Sequence, residues 1–284
     1  MIPSAFEYYR PKDVAAAIAV LQEHGDDARV VAGGHSLIPM MKLRMAFVEH
    51  LVDLQAVEEM RGISVSGGTV RIGALTTQHE IITSDDLVSA APILREAALQ
   101  IADPQVRYVG TLGGNVANGD PGNDMPGLMQ ALDASFTLVG PDGRRTVTAR
   151  DFYESAYMTA REDDEILTEV IFASTQGGYA YEKQKRKIGD YATAAAAVLL
   201  TTEGGTCTAA SIAMTNLSDV PVYSQSAGAA LTGTSCDKAA IDAAVTAMLA
   251  DIDPTEDNRG PVEFKRHVAG VVLGRAIERA ASRA

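Results

Sequence analysis

Two glycine-rich turns are the residues of this chain best suited to chemistry. The first reads VAGGHSL at 31–37 and the second GTLGGN at 110–115. Glycine pairs let the backbone approach a ligand closely, and successive N–H groups ahead of a helix bind anions. Ser36 and Thr111 could add hydroxyl donors. One such pair would indicate only a tight turn, but two together predict a phosphate or pyrophosphate site.

The residue spacing within the two turns excludes two common types of nucleotide-binding motif. Neither turn continues into the Lys-Ser or Lys-Thr pair of a Walker A loop, and neither matches GxGxxG. A Rossmann fold is therefore disfavoured. The residues alone lead to a phosphate or dinucleotide binder of non-Rossmann type.

Composition limits the other classes of function. Two cysteines, Cys207 and Cys236, cannot build a four-thiolate iron–sulfur site, and the five histidines show no ligand spacing, so we expect no metal and an organic cofactor. A net charge of −13 disfavours nucleic-acid binding. No apolar run approaches the roughly 18 residues of a membrane span. The N-terminus lacks the order of a secretory signal, and we expect a cytoplasmic protein.

Hydrophobic periodicity predicts an α+β chain with two domains, 1–176 and 177–284, divided at the polar, Gly-rich segment 174–178. Helices are predicted at 12–24, 36–45, 77–83 and 87–101, and a long irregular stretch at 103–127. The second domain is predicted to run from strands at 179–184, 194–201 and 206–215 to helices at 238–249 and 263–281.

Longer strings carry a family resemblance that covers essentially the whole chain. AGGHSLIPMMKLRM at 32–45, NGDPGNDMP at 118–126 and KRKIGDYATAAAA at 185–197 resemble the medium subunits of aerobic carbon monoxide dehydrogenases. That family belongs to the xanthine dehydrogenase-type molybdenum hydroxylases. The resemblance implies a PCMH-type FAD-binding domain of two α/β subdomains, followed by a smaller α+β flavoprotein C-terminal domain.

The resemblance also implies a set of FAD-binding residues. The two turns would hold the diphosphate, and four further residues would contact the rest of the cofactor. Asp124 would bind the ribityl or adenosine portion, Leu167 would pack on adenine or flavin, Lys187 would lie near the flavin pyrimidine edge, and Tyr191 would lie beside the isoalloxazine ring. Each of these four residues also has an interpretation that involves no ligand. Asp124 would be a turn former, Leu167 a core residue, Lys187 a surface charge and Tyr191 a half-buried tyrosine on a strand. The turn residues are Ala32, Gly33, Gly34, His35, Ser36 and Leu37, with Thr111, Leu112, Gly113, Gly114 and Asn115.

The implied activity is electron transfer, with no catalytic residue in this chain. A large subunit would carry the molybdenum–molybdopterin cytosine dinucleotide with copper. A small subunit would carry two [2Fe–2S] clusters and would dock near residues 101–108. The complex would be a doubled heterotrimer that reduces a quinone or another acceptor, and it could associate with the inner face of the cell membrane. The alternatives are the FAD subunit of an aldehyde or N-heterocycle hydroxylase, a free-standing flavin oxidoreductase, and a scaffold protein that has lost its flavin.

Overall fold

The chain begins with a small parallel sheet, whose first helix follows directly from the local sequence. Asp13 caps this helix, because its Oδ1 accepts a hydrogen bond from the Ala16 N–H at 2.7 Å. Val14, Ile18 and Leu21 form its buried face. Gly25, at φ 51°, ends it by donating its N–H to the Leu21 carbonyl. The predicted helix at 12–24 is therefore confirmed.

The first subdomain places the first glycine turn at one edge of its sheet. The strands lie in the order β1-β3-β2 and both pairings are parallel. The turn follows β2, at the carboxyl edge where open α/β sheets bind ligands. The elements are β1 Glu7–Tyr9, α1 Val14–His24, β2 Ala28–Val31, α2 Leu37–Lys42 and β3 His50–Asp53.

The second subdomain is a five-stranded antiparallel sheet with six short helices before its third strand. The strand order is β4-β5-β10-β6-β7, and β8 and β9 form a separate hairpin. The elements are β4 Ile63–Ser66, β5 Thr69–Gly73, α3 Gln78–Thr83, α4 Asp85–Ala90, α5 Pro92–Gln100, α6 Pro104–Val109, α7 Leu112–Ala117, α8 Asp124–Ala131, β6 Ser135–Gly140, β7 Gly143–Thr148, β8 Tyr153–Ser155, β9 Met158–Thr159 and β10 Ile166–Ala173.

Two predictions for this region were wrong. The single helix predicted at 87–101 is divided at Ala91, whose φ of −157° leaves the helical region, because Pro92 disfavours helical backbone in the residue before it. The irregular stretch predicted at 103–127 contains α6, α7 and the start of α8. Asp103 and Thr111 cap the first two of these helices with their side chains. These short helices were mistaken for a loop because their capping residues and glycines are residue types that are also common in loops.

The third part of the chain is an antiparallel sheet in the order β11-β12-β13-β14, with three helices. The four alanines at 194–197 in β12 are fully or almost fully buried, and their small side chains let helices approach both faces of the sheet. Helix α11 packs on β11 and β12, whereas α8 packs on β12 and β13. The elements are β11 Gly178–Gln184, β12 Ala194–Glu203, β13 Thr206–Thr215, β14 Val222–Tyr223, α9 Gln225–Leu231, α10 Lys238–Asp251 and α11 Val262–Ala281.

The α+β class and the strand-then-helix order of the last part are confirmed in the computed structural model, which describes all 284 residues. The main hydrophobic core crosses between the parts, since Tyr181, Ala195 and Ala213 belong to the same buried cluster as Leu112 and Leu167. None of the helices combines the length and the apolar composition needed to cross a membrane.

Candidate cofactor-binding site

A cleft of about 520 Å³ opens where the three parts of the fold meet. Both glycine turns line it, together with residues near the start of β12. All but two of the predicted site residues lie along its wall. These are Ala32, Gly33, Gly34, His35, Ser36, Leu37, Thr111, Gly113, Gly114, Asn115, Asp124, Leu167 and Tyr191.

Leu112 and Lys187 are the two that the structure places elsewhere. Leu112 is fully buried in the core behind the second turn. Its side chain fills the interior because it occupies the first position of α7, on the face away from the cleft. Lys187 is exposed and does not line the cleft, since it lies in the loop between β11 and β12, beyond the strand.

The first turn presents a run of backbone N–H groups that have no acceptor within the chain. The N–H groups of residues 33–36 donate no hydrogen bond to backbone or side chain. Ser36 precedes α2, but its hydroxyl makes no capping bond. Gly34 adopts φ 75°, a left-handed conformation that helps successive N–H groups converge. These residues are half-buried or exposed, so a ligand in the cleft can reach their N–H groups, and such a run of donors ahead of a helix is suited to an anion.

The second turn is built differently, because its N–H groups are used inside the chain. Leu112 donates to the Thr76 carbonyl and Gly113 to the Ala74 carbonyl, both at 2.8 Å. Gly114 donates to Thr111 Oγ1 at 3.0 Å, and Asn115 donates to the Thr111 carbonyl at 3.1 Å. The expectation of bare N–H groups in both turns therefore holds only for the first. The second turn pairs with the backbone after β5 and begins a helix.

Glycine is required in both turns because other backbone lies against it. A Cβ on Gly33 would lie 2.4 Å from the Val109 carbonyl oxygen and 2.8 Å from Gly110 Cα. A Cβ on Gly113 would lie 2.4 Å from the Ala74 Cβ. The first turn thus rests on the residues just before the second, and the second rests on the segment after β5.

A buried charged group forms one wall of the cleft. The Asp124 carboxylate accepts hydrogen bonds from Lys183 Nζ at 2.8 Å and from the Tyr181 hydroxyl at 2.5 Å. The side chains of Lys183 and Asp124 are 1% and 6% exposed. Asp124 is also the first residue of α8, where the helix dipole favours a negative charge. Burial, followed by the Asp124 charge, raises the pKa of Tyr181 well above its ordinary value.

Tyr191 stands at the mouth of the cleft. Its ring lies against Gly122, where a Cβ would come within 2.9 Å of Tyr191 Cδ1. The Arg259 guanidinium carbon lies 5.5 Å from the ring centroid, a cation–π distance. Partial burial, followed by the Asp120 charge, raises the pKa of Tyr191 to about 12. Its hydroxyl therefore stays protonated near neutral pH and can donate a hydrogen bond.

Comparison with known proteins bears directly on this site. Residues 4–174 match the family described as FAD binding domain in molybdopterin dehydrogenase, and residues 179–280 match the CO dehydrogenase flavoprotein C-terminal domain. The chain is 56% identical to the carbon monoxide dehydrogenase medium chain of Afipia carboxidovorans, across 100% of this chain and 99% of that protein. It belongs to the carbon monoxide dehydrogenase medium-chain family.

Two further matches cover the medium chain from end to end. The carbon monoxide dehydrogenase medium chain of Hydrogenophaga pseudoflava is 46% identical over 100% of this chain and 99% of that one. A solved structure of reconstituted CO dehydrogenase from Oligotropha carboxidovorans superposes with a TM-score of 0.98, at 56% identity and with complete coverage of both chains. The fold and domain content of this medium chain are therefore those of the family.

The residues of the cleft fit a flavin dinucleotide. The unpaired N–H groups of the first turn suit its diphosphate, and buried Leu167 offers an apolar surface for a flat ring. Two contributors were missed by sequence reasoning. Lys183 is a buried cation that lines the cleft, which Lys187 does not, and alternation along β11 could have found it, since Tyr181 and Lys183 share a face of that strand. Gln78 also lines the cleft, and the sequence assigned it no role.

Proposed function

We propose that this chain is the FAD-binding, electron-transferring medium subunit of a carbon monoxide dehydrogenase. The observation that carries the proposal is the run of unpaired N–H groups at residues 33–36 in a cleft of dinucleotide size. Full-length similarity to medium chains of that name supports the substrate assignment. We infer a domain boundary at 176/177, between the two matched regions.

Each part of the cleft has a separate role in this proposal. The first turn, from Ala32 to Leu37, would bind the diphosphate through its N–H groups and the Ser36 hydroxyl. In the second turn, Thr111, Gly113, Gly114 and Asn115 would border the cofactor as a rigid wall, with Leu112 anchoring that wall from behind.

The remaining residues would orient the cofactor rings and shape the electrostatics around them. Asp124 would accept from a hydroxyl of the cofactor, Leu167 would pack on a ring, and Tyr191 would cover the ring at the mouth of the cleft. The cation next to the flavin is assigned to Lys183, and Lys187 is left as a surface charge. FAD, when bound, supplies the exchange of one or two electrons.

The chain would act within a larger complex. Its two cysteines cannot hold the four-thiolate clusters that deliver electrons singly, so these [2Fe–2S] clusters are assigned to a small subunit that docks near residues 101–108. A large subunit would carry the molybdenum–molybdopterin cytosine dinucleotide with copper and oxidise CO with water to CO2. We infer a dimer of heterotrimers in the cytoplasm, which passes electrons to a quinone and could associate with the inner face of the membrane.

The decisive experiment uses the complete complex, purified through a tag on this chain. Under anaerobic conditions, CO should bleach the visible flavin absorption band, and added quinone should restore it. Bleaching by an aldehyde or an N-heterocycle but not by CO would replace the proposal with that of a related molybdenum hydroxylase. Substrate-dependent bleaching by the isolated chain would instead indicate a free-standing flavin oxidoreductase, and a complex without flavin would contradict both.

A further inference from the structure

Gln78 is a buried polar residue whose side chain has no partner within the chain. It is the first residue of α3, is 1% exposed and lines the cleft. Both its Nε2 and its Oε1 are inaccessible to solvent and form no hydrogen bond. A buried amide without partners costs free energy, and since the large majority of buried side-chain polar atoms in native proteins are hydrogen-bonded, an unpaired amide at a cleft calls for a partner from outside the chain.

The backbone around Gln78 is held firmly in place. Thr77 and Glu80 form a capping box, in which Glu80 Oε2 accepts from the Thr77 N–H at 2.7 Å and Thr77 Oγ1 accepts from the Glu80 N–H at 3.2 Å. The Gln78 N–H donates to the Gly110 carbonyl at 2.9 Å. Gly110 is also the residue against which Gly33 packs. The free amide therefore belongs to a residue anchored next to the contact between the two glycine turns.

We propose that the Gln78 carboxamide, which lies at the cleft wall, turns toward the cleft and binds the FAD directly, with its NH2 group as donor and its carbonyl as acceptor. This inference rests on the proposed function. A phosphate accepts hydrogen bonds but donates none when ionised, so a phosphate alone would leave Oε1 unpaired. The ribityl and ribose hydroxyls and the edges of adenine and flavin offer donors as well as acceptors, and carboxamides pair readily with such edges. Gln78 is thus a cofactor-binding residue that complements the diphosphate-binding turn.

The test compares Gln78→Met with the wild type in the full chain stripped of flavin. Calorimetric titration should show FAD binding weakened roughly ten- to a hundredfold, as expected for two lost hydrogen bonds. The unfolding temperature of the flavin-free chain should stay the same or rise, because an apolar side chain of similar shape replaces an unpaired amide. Gln78→Glu, which keeps the shape but loses the NH2 donor, should also weaken binding and gives a second variant should the first fold poorly.

Gln130→Met is the matched control. Gln130 is likewise buried, at 4% exposure, and its Oε1 also lacks a partner, but it lies outside the cleft. FAD affinity should be unchanged in this variant. Titration with ADP would place the contact, since a weaker affinity of Gln78→Met for ADP assigns it to the adenosine half and an unchanged one assigns it to the flavin half.

Wild-type FAD affinity in both Gln78 variants would overturn the inference and leave the proposed function intact. Equal losses of stability in the flavin-free and flavin-bound chain, without a change in affinity, would also overturn it and indicate a purely structural glutamine. A wild-type chain that does not bind FAD at all would contradict the proposed function itself.

Discussion

The two glycine turns look alike in sequence but do different work in the fold. The first leaves the N–H groups of residues 33–36 unpaired and faces the cleft. The second uses its N–H groups within the chain, against Ala74, Thr76 and its own capping residue Thr111. A glycine pair therefore indicates close approach of a backbone, and the structure decides whether the neighbour is a ligand or another segment of the chain.

The largest effect is expected at the buried ion pair between Asp124 and Lys183, which is linked to the second turn through Asn115. Asn115 holds α8 by accepting from the Met125 N–H at 3.2 Å, and α8 begins with Asp124, the partner of Lys183. Lys183→Met should destabilise the flavin-free chain by about 3–5 kcal/mol, because it leaves a buried carboxylate without its cation. Denaturant unfolding measures this loss.

Lys187→Met serves as the control for that prediction. Lys187 is exposed, so its loss should change stability by no more than about 0.5 kcal/mol. Equal losses of stability in the two lysine variants would contradict the structural role assigned to Lys183.

Alanine at one glycine of each turn should overpack the neighbouring segment in both cases, but only the substitution in the first turn should also weaken FAD binding. Gly113→Ala places a methyl group against Ala74 and should cost about 1–3 kcal/mol of stability, as overpacked sites do. Gly33→Ala should push the first turn off Val109 and Gly110 and weaken FAD binding by roughly a hundredfold, the loss of one or two hydrogen bonds to a charged group. Unfolding curves and FAD titration of both variants test this, and the comparison fails if Gly33→Ala retains normal affinity.

Smaller effects are expected when the hydroxyl groups of the two turns, on Ser36 and Thr111, are removed. Thr111→Val removes a helix cap, since Thr111 Oγ1 accepts from the Gly114 N–H, and should destabilise the chain by about 0.5–2 kcal/mol. Ser36→Ala removes no bond within the chain and should leave stability unchanged within about 0.5 kcal/mol, while FAD affinity falls roughly three- to tenfold. Reversed results, with Ser36 important for stability and Thr111 for binding, would contradict the assigned roles.

The smallest effect is expected at the mouth of the cleft and depends on pH. Because the pKa of Tyr191 is raised to about 12, the folded chain keeps this phenol neutral at pH values where the unfolded chain, with a pKa of about 10, ionises it. The stability contributed by Tyr191 is complete below about pH 10 and is lost as the pH rises toward 12. Urea midpoints should therefore fall less steeply between pH 9.5 and 11 (roughly, the onset of that range) in Tyr191→Phe than in the wild type, and parallel curves would contradict this.

Local patterns determined most of the elements and the place of the binding turns. The helix at 12–24 was predictable because its apolar spacing, its Asp13 cap and its terminal Gly25 all act within a few residues. The strands before and after residues 174–178 followed from alternation in the same way. The family strings at 32–45, 118–126 and 185–197 further determined the kind of cofactor expected.

Tertiary structure alone decided which polar groups remain free. The second turn loses its free N–H groups to carbonyls at 74 and 76, roughly forty residues earlier in the chain, and Lys183 finds Asp124 across 59 positions. Gln78 is unpaired only because the segments packed around it offer no hydrogen-bond partner. Such pairings depend on which distant segments meet in the fold, and composition and periodicity act over a few residues only, so they describe a residue's local conformation but not its partner.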